Sequence, residues 1–219
     1  MFRSLRKCSC LVVLLVLTLF GMAQQPQSAS ADQIWNQLVA GNHRFATGKP
    51  APQDLQAQRE SLTKTQHPRV AVLSCSDSRV PPELIFDEGL GDLFVVRSAG
   101  EDNDAIVIGS LEYAVEHLGS TVIVVMGHEG CGAVTAACSG GKPESDNLEA
   151  VVSPIAPSCS KMDRAKPETL DLAVRDHIHR VSQDILARSE LLRKAAEEHK
   201  LAIIEAYYSL DTGEVTRLH

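Results

Sequence analysis

Hydrophobic positions along this chain follow two rhythms. Arg69–Ser74, Leu93–Arg97 and Thr121–Met126 are continuous apolar runs of strand length. Between the last two, Asp104 to Leu118 spaces Ile108, Leu111, Val115 and Leu118 on a helical period, and Gly119 stops it. Strand, helix and strand with unbroken apolar strands predict a right-handed crossover and a mostly parallel central sheet flanked by helices. Ligands of such sheets bind outside the carboxyl ends of the strands.

The flanking segments read as helices and one hairpin. Asp32 is placed to cap a helix running to about Thr47, with Ile34, Trp35, Leu38, Val39 and Phe45 on one face. Gly48–Pro52 ends it, and a more polar helix is expected over Gln53–Lys64. Gly140–Lys166, rich in Pro, Ser and Gly, reads as a long excursion. Helices are expected over Glu168–Ser189 and Glu190–His199. A strand over Leu201–Leu210, a turn at Asp211–Gly213 and a return strand over Glu214–Leu218 follow.

The amino-terminal residues 1–31 read as a signal peptide rather than as part of the fold. Arg3, Arg6 and Lys7 precede an apolar run from Leu11 to Met22, and Gly21-Met22-Ala23 and Ala29-Ser30-Ala31 are small-residue cleavage patterns. The run is short for a bilayer span, which takes about 20 residues. The expectation is an exported protein, periplasmic or secreted, with no stable membrane span after cleavage. Residues 32–219 form a single domain. The formal net charge of -7 and the 4% aromatic content argue against nucleic acid as a partner.

Cleavage leaves Cys75, Cys131, Cys138 and Cys159. Two short segments at expected strand ends hold the chemistry: Cys75-Ser76-Asp77-Ser78-Arg79 and His128-Glu129-Gly130-Cys131. They offer two thiolates, an imidazole and a carboxylate, a donor set that suits one tetrahedral Zn²⁺ per chain. Arg79 is a cation able to draw Asp77 away from such a metal, which suits a site with a removable fourth donor. Cys138 and Cys159 are left over. Small buried thiols are the plainer reading, and in an oxidising compartment a bridge is the alternative. The histidines outside this set read as surface or satisfied residues.

Cys-Ser-Asp-Ser-Arg followed some fifty residues later by Gly-His-x-x-Cys-Gly resembles the β-class carbonic anhydrases. The resemblance extends to Gly41–Phe45, Gly91–Arg97 and Ser110–Val115. It implies that family's α/β fold, with amino-terminal helices packed on a partner chain in a homodimer or homotetramer. It implies reversible hydration of CO₂ to bicarbonate and a proton. Cys75, His128 and Cys131 match the permanent zinc ligands, and Asp77 and Arg79 the dyad that gates the fourth zinc position. Asp77 is a fourth ligand when the site is closed. Gln66 and Tyr113 match substrate-pocket residues near a dimer interface. Arg97 and Tyr208 match two members of an inhibitory bicarbonate pocket whose third member is Trp; this chain has Val72, so that route of inhibition is expected to be missing. Ser98 and Glu101 depart from the family pattern and are expected near the pocket mouth.

Two other functions share these residues. One is hydrolysis of a CO₂ analogue, carbonyl sulfide or carbon disulfide, on the same fold. The other is a non-catalytic zinc-binding module, which accounts for four ligands but not for Arg79.

Overall fold

The computed structural model describes residues 29–163, 166 and 169–218. Most of the expected signal peptide therefore lies outside the described residues. The three apolar runs form strands β1 (Val70–Cys75), β2 (Leu93–Ser98) and β3 (Val122–His128). Strand β4 (Ala202–Tyr208) and the short β5 (Val215–Arg217) complete one five-stranded sheet in the order β2-β1-β3-β4-β5. All neighbours are parallel except β4 and β5, which form the hairpin.

Alternate residues of each strand face opposite sides of the sheet, as a pleated backbone requires. Ala71, Leu73, Ile123 and Val125 belong to a core shared with Leu111, Val174 and Ile178. These come from helices α4 (Ala105–Leu118) and α7 (Leu170–Arg188). Val70, Val72, Val122 and Val124 face a second core with Ile34, Trp35, Ile85 and Phe86. That side is covered by α1 (Ala31–Ala46) and the single turn α3 (Pro82–Ile85). Helix α2 (Leu55–Ser61) buries no residue. No helix among the described residues is long and apolar enough to cross a membrane.

Local chemistry moved some boundaries. Helix α1 is capped by Ser30, not Asp32: Gln33 N–H donates to Ser30 Oγ, and Ser30 N–H donates to Gln33 Oε1. Asp32 instead accepts from Arg217 at 2.8 Å. Strand β2 is only half buried, because it is the sheet edge and lacks a neighbour on one flank. The Gly140–Lys166 stretch is not a structureless excursion. It holds α5's exit (α5 is Gly132–Ser139), α6 (Asp146–Val152) and a 3₁₀ turn at Ala156–Lys161. Cys138 and Cys159 are bonded there, with Cα atoms 5.2 Å apart, so the bridge replaces the two free thiols. Helix α8 (Glu190–Glu197) completes the set.

The Gly41–Phe45 segment is a joint between α1 and the rest of the domain. A Cβ on Gly41 would lie 1.8 Å from the Phe86 carbonyl oxygen, so only glycine lets α1 approach α3 this closely. Buried Asn42 donates to Ile85 O and Gly213 O and accepts from Val215 N–H. Arg44 pairs with Asp87, a residue at positive φ. Gly41→Ala is expected to lower stability by about 2–3 kcal/mol in urea unfolding; a change within about 0.5 kcal/mol would contradict this packing.

Candidate active site

Chain order reverses in the sheet between β1 and β3, since β2 lies on one side of β1 and β3 on the other. The crevice outside their carboxyl ends is the topological switch point. Cys75 is the last residue of β1 and His128 the last of β3, so the reversal brings them together. A tight turn through Glu129 and Gly130 then delivers Cys131, the N-cap of α5.

The Sγ atoms of Cys75 and Cys131 are 4.0 Å apart. Together with a ring nitrogen of His128 they offer three ligand atoms within 4.8 Å of one another, all on buried residues. His128 Nδ1 lies 2.8 Å from Glu129 O, a carbonyl that can only accept, so Nδ1 carries the hydrogen. That leaves Nε2 as a buried lone pair with no hydrogen-bond partner. An orphaned imidazole nitrogen facing two thiols fits a soft or borderline metal ion such as Zn²⁺.

The sulfurs are not equivalent. The Cys75 thiol is pulled down, above all because Cys131 can donate to its thiolate, with help from the Gly100 N–H and against the cost of burial. The Cys131 thiol is pushed up, as the hydrogen-bonding partner of Cys75 and by burial. Gly100, at φ 71°, is held among Ile155 and Ala133, where a Cβ would collide with both.

Asp77 stands at the rim. Its Oδ2 lies 3.9 Å from His128 Nε2, and Arg79 holds both carboxylate oxygens through Nε at 2.9 Å and Nη2 at 2.7 Å. The Arg79 backbone N–H adds a third bond at 2.9 Å. The Arg79 side-chain contact, above all, keeps the Asp77 carboxyl well below the usual carboxylate range, so it stays ionised.

The family model described as carbonic anhydrase matches residues 70–215. The chain belongs to the β-carbonic anhydrase family. It is 39% identical to carbonic anhydrase 2 of Mycobacterium tuberculosis over 183 residues, covering 82% of this chain and 88% of that one. It is 38% identical to the carbonic anhydrase of Mycolicibacterium smegmatis over 185 residues, covering 83% and 90%. The fold is similar to a tetrameric β-carbonic anhydrase of Sordaria macrospora, with a TM-score of 0.67 and 23% identity over 84% of this chain and 96% of that one. A Coccomyxa β-carbonic anhydrase is similar at a TM-score of 0.66 and 24% identity, covering 86% and 83%.

In this carbonic anhydrase chain Gln66 and Tyr113 are brought together, but not to the cysteines. They line an open cleft of about 590 Å³ with Thr63, His67 and Leu118. Gln66 precedes the amino end of β1 and Cys75 is at its carboxyl end. Five strand steps, about 17 Å, lie between Val70 and Cys75. Arg97 has a task that sequence reading missed. Its Nε donates to Cys75 O at 3.0 Å and its Nη2 to Asp77 O at 2.6 Å, so it clamps the backbone that carries both. Val72 is fully buried in the core beneath α1, and Tyr208 is buried opposite His128 in register.

Glu101 does not stand at a pocket mouth. It is fully buried, and neither carboxylate oxygen has a hydrogen-bond partner. A left-handed backbone at φ 41° turns it inward, and one oxygen lies over Gly127. Burial, and secondarily the charge of Cys75, raises its pKa well above 4.5. The group ionises at its ordinary value in the unfolded chain and stays neutral in the fold. Its contribution to stability is therefore full below the unfolded pKa and is lost as pH rises towards the folded one, at about 1.4 kcal/mol per pH unit. Glu101→Gln removes that loss, so the variant should gain on the native chain in urea unfolding as pH rises from about 5 towards the raised folded value. A stability difference that stays constant across this range would contradict the assignment.

Proposed function

We infer that this chain is an exported carbonate dehydratase that holds one zinc ion on Cys75, His128 and Cys131. The observation that carries the reading is the orphaned, buried His128 Nε2 facing two thiols 4.0 Å apart, with an arginine-held carboxylate beside it. Family membership supports the reaction, CO₂ and water interconverting with bicarbonate and a proton. Zinc held there would supply the Lewis acidity that lets water react as hydroxide near neutral pH.

The chain's own residues supply the rest. Buried walls around Cys75 and Cys131 exclude bulk water. Ionised Asp77 has no proton to give, so it accepts a hydrogen bond from the nucleophile, without taking its proton, and orients the nucleophile's lone pair towards CO₂. Arg79 holds Asp77 in that role and out of the metal's fourth position. If the pair opens, Asp77 is close enough to His128 to become a competing ligand. The incomplete Trp-less pocket gives no route for bicarbonate to break the clamp from behind.

A second copy completes the site in this reading. Gln66 and Tyr113 reach CO₂ from the partner of a homodimer or homotetramer. Exposed Leu55, Leu84 and Leu90 around a groove of about 610 Å³, beside an α2 that buries nothing, support this. The Cys138–Cys159 bridge supports export, because such bonds persist in oxidising compartments. The Ser30 cap favours cleavage after Ala23 over cleavage after Ala31, which would remove the cap.

Stopped-flow CO₂ hydration by the purified chain tests the activity, with carbonyl sulfide and carbon disulfide as competing substrates. Arg79→Ala tests the dyad. Zinc content should stay at the native level while hydration falls roughly 100-fold. Undiminished hydration would contradict the gating role, and loss of zinc would show that Arg79 serves binding instead.

A further inference from the structure

Glu129 lies between two proposed ligands, yet its carboxylate points away from them. Its Oε2 accepts from Ser209 Oγ–H at 2.8 Å and from Asp211 N–H at 3.1 Å. Both donors belong to the turn joining β4 and β5. Its own backbone N–H donates to Tyr208 O at 2.9 Å. Its carbonyl takes the His128 Nδ1 hydrogen at 2.8 Å. One residue therefore ties the β4–β5 turn to the imidazole.

We propose that Glu129 is a positioning residue: its carboxylate, anchored on the β4–β5 turn, fixes the carbonyl that sets the tautomer and aim of His128. The proposal rests on the reading of His128 as a metal donor through Nε2. The need for an anchor follows from what comes next in the chain. Gly130 is left-handed at φ 62°, and nothing lies within 4 Å of where its Cβ would be. It has no side chain with which to hold the peptide that contains the Glu129 carbonyl. Without the side-chain anchor, that carbonyl depends on the Tyr208 bond before it and on Cys131, held by Thr135 at the start of α5, two residues after it.

The anchor is itself rigid. Ser209 N–H donates to Glu214 O, Gly213 N–H to Ser209 O, and Thr212 N–H to Ser209 Oγ. Asn42 of α1 grips the same turn through Gly213 O and Val215 N–H. A continuous run of hydrogen bonds thus leads from α1 through the turn and Glu129 to His128. Partners of this kind, one step behind a metal ligand, govern affinity because a misaimed imidazole cannot meet the metal.

Zinc affinity by chelator competition and the ligand-field absorption of the cobalt-substituted protein test this, neither depending on CO₂ hydration. Glu129→Ala should weaken zinc binding about 10–100-fold and shift the cobalt bands. Glu129→Gln keeps an acceptor oxygen for Ser209 and Asp211 and should recover most of both. Native zinc affinity with unchanged bands in Glu129→Ala would overturn the proposal, and so would a Glu129→Gln as weak as Glu129→Ala. If Glu129→Ala does not fold, Ser209→Ala is measured instead: a smaller weakening in the same direction supports the proposal and none overturns it. Failure of the unaltered protein to bind zinc would overturn the metal reading beneath it.

Discussion

Two sulfurs 4.0 Å apart in a buried crevice cannot both carry a negative charge unless a cation lies between them or near them. Much of the surrounding structure bears on that constraint. The Gly100 N–H stabilises one thiolate, and the amino end of α5 offers its dipole to the other. Without a metal the pair settles with the proton on Cys131. Zinc held there would offset the charge of both thiolates and give the imidazole lone pair a partner. The fold contributes two parallel strands that end side by side at a reversal of strand order, so that Cys75 and His128 arrive from strand backbone and Cys131 from the turn that enters α5.

The charges around the centre are kept apart by geometry. Asp77 is ionised and partly buried at the rim, tied to Arg79; Glu101 is buried and neutral, with no hydrogen-bond partner for its carboxylate. Two carboxylates within one site thus hold opposite protonation states because one has a guanidinium partner and the other has lost its water. Arg97 fixes the backbone that both Cys75 and Asp77 depend on, leaving the Asp77 side chain to Arg79.

The strands and the crossover were legible because buried parallel strands leave continuous apolar runs, and the donor segments because they sit at the ends of those runs. Other features were not legible. Arg97 acts through carbonyl oxygens, which leave no trace in residue spacing. Glu101 is an acidic residue whose burial depends on a left-handed backbone that its neighbours impose. The Cys138–Cys159 pairing depends on a 3₁₀ turn packing against α5, a tertiary event in a stretch with no hydrophobic period. Ser30 outcompeted Asp32 as the cap because Gln33 could complete a reciprocal pair with it.

In the proposed function, one zinc on Cys75, His128 and Cys131 is what makes the chain hydrate CO₂. The most direct measurement is a zinc titration of the metal-free protein under argon, reading stopped-flow CO₂ hydration at each step. The rate is expected to rise in proportion to bound zinc and to level off at one ion per chain. Full zinc occupancy with hydration no faster than buffer, or a rate indifferent to zinc, would contradict it.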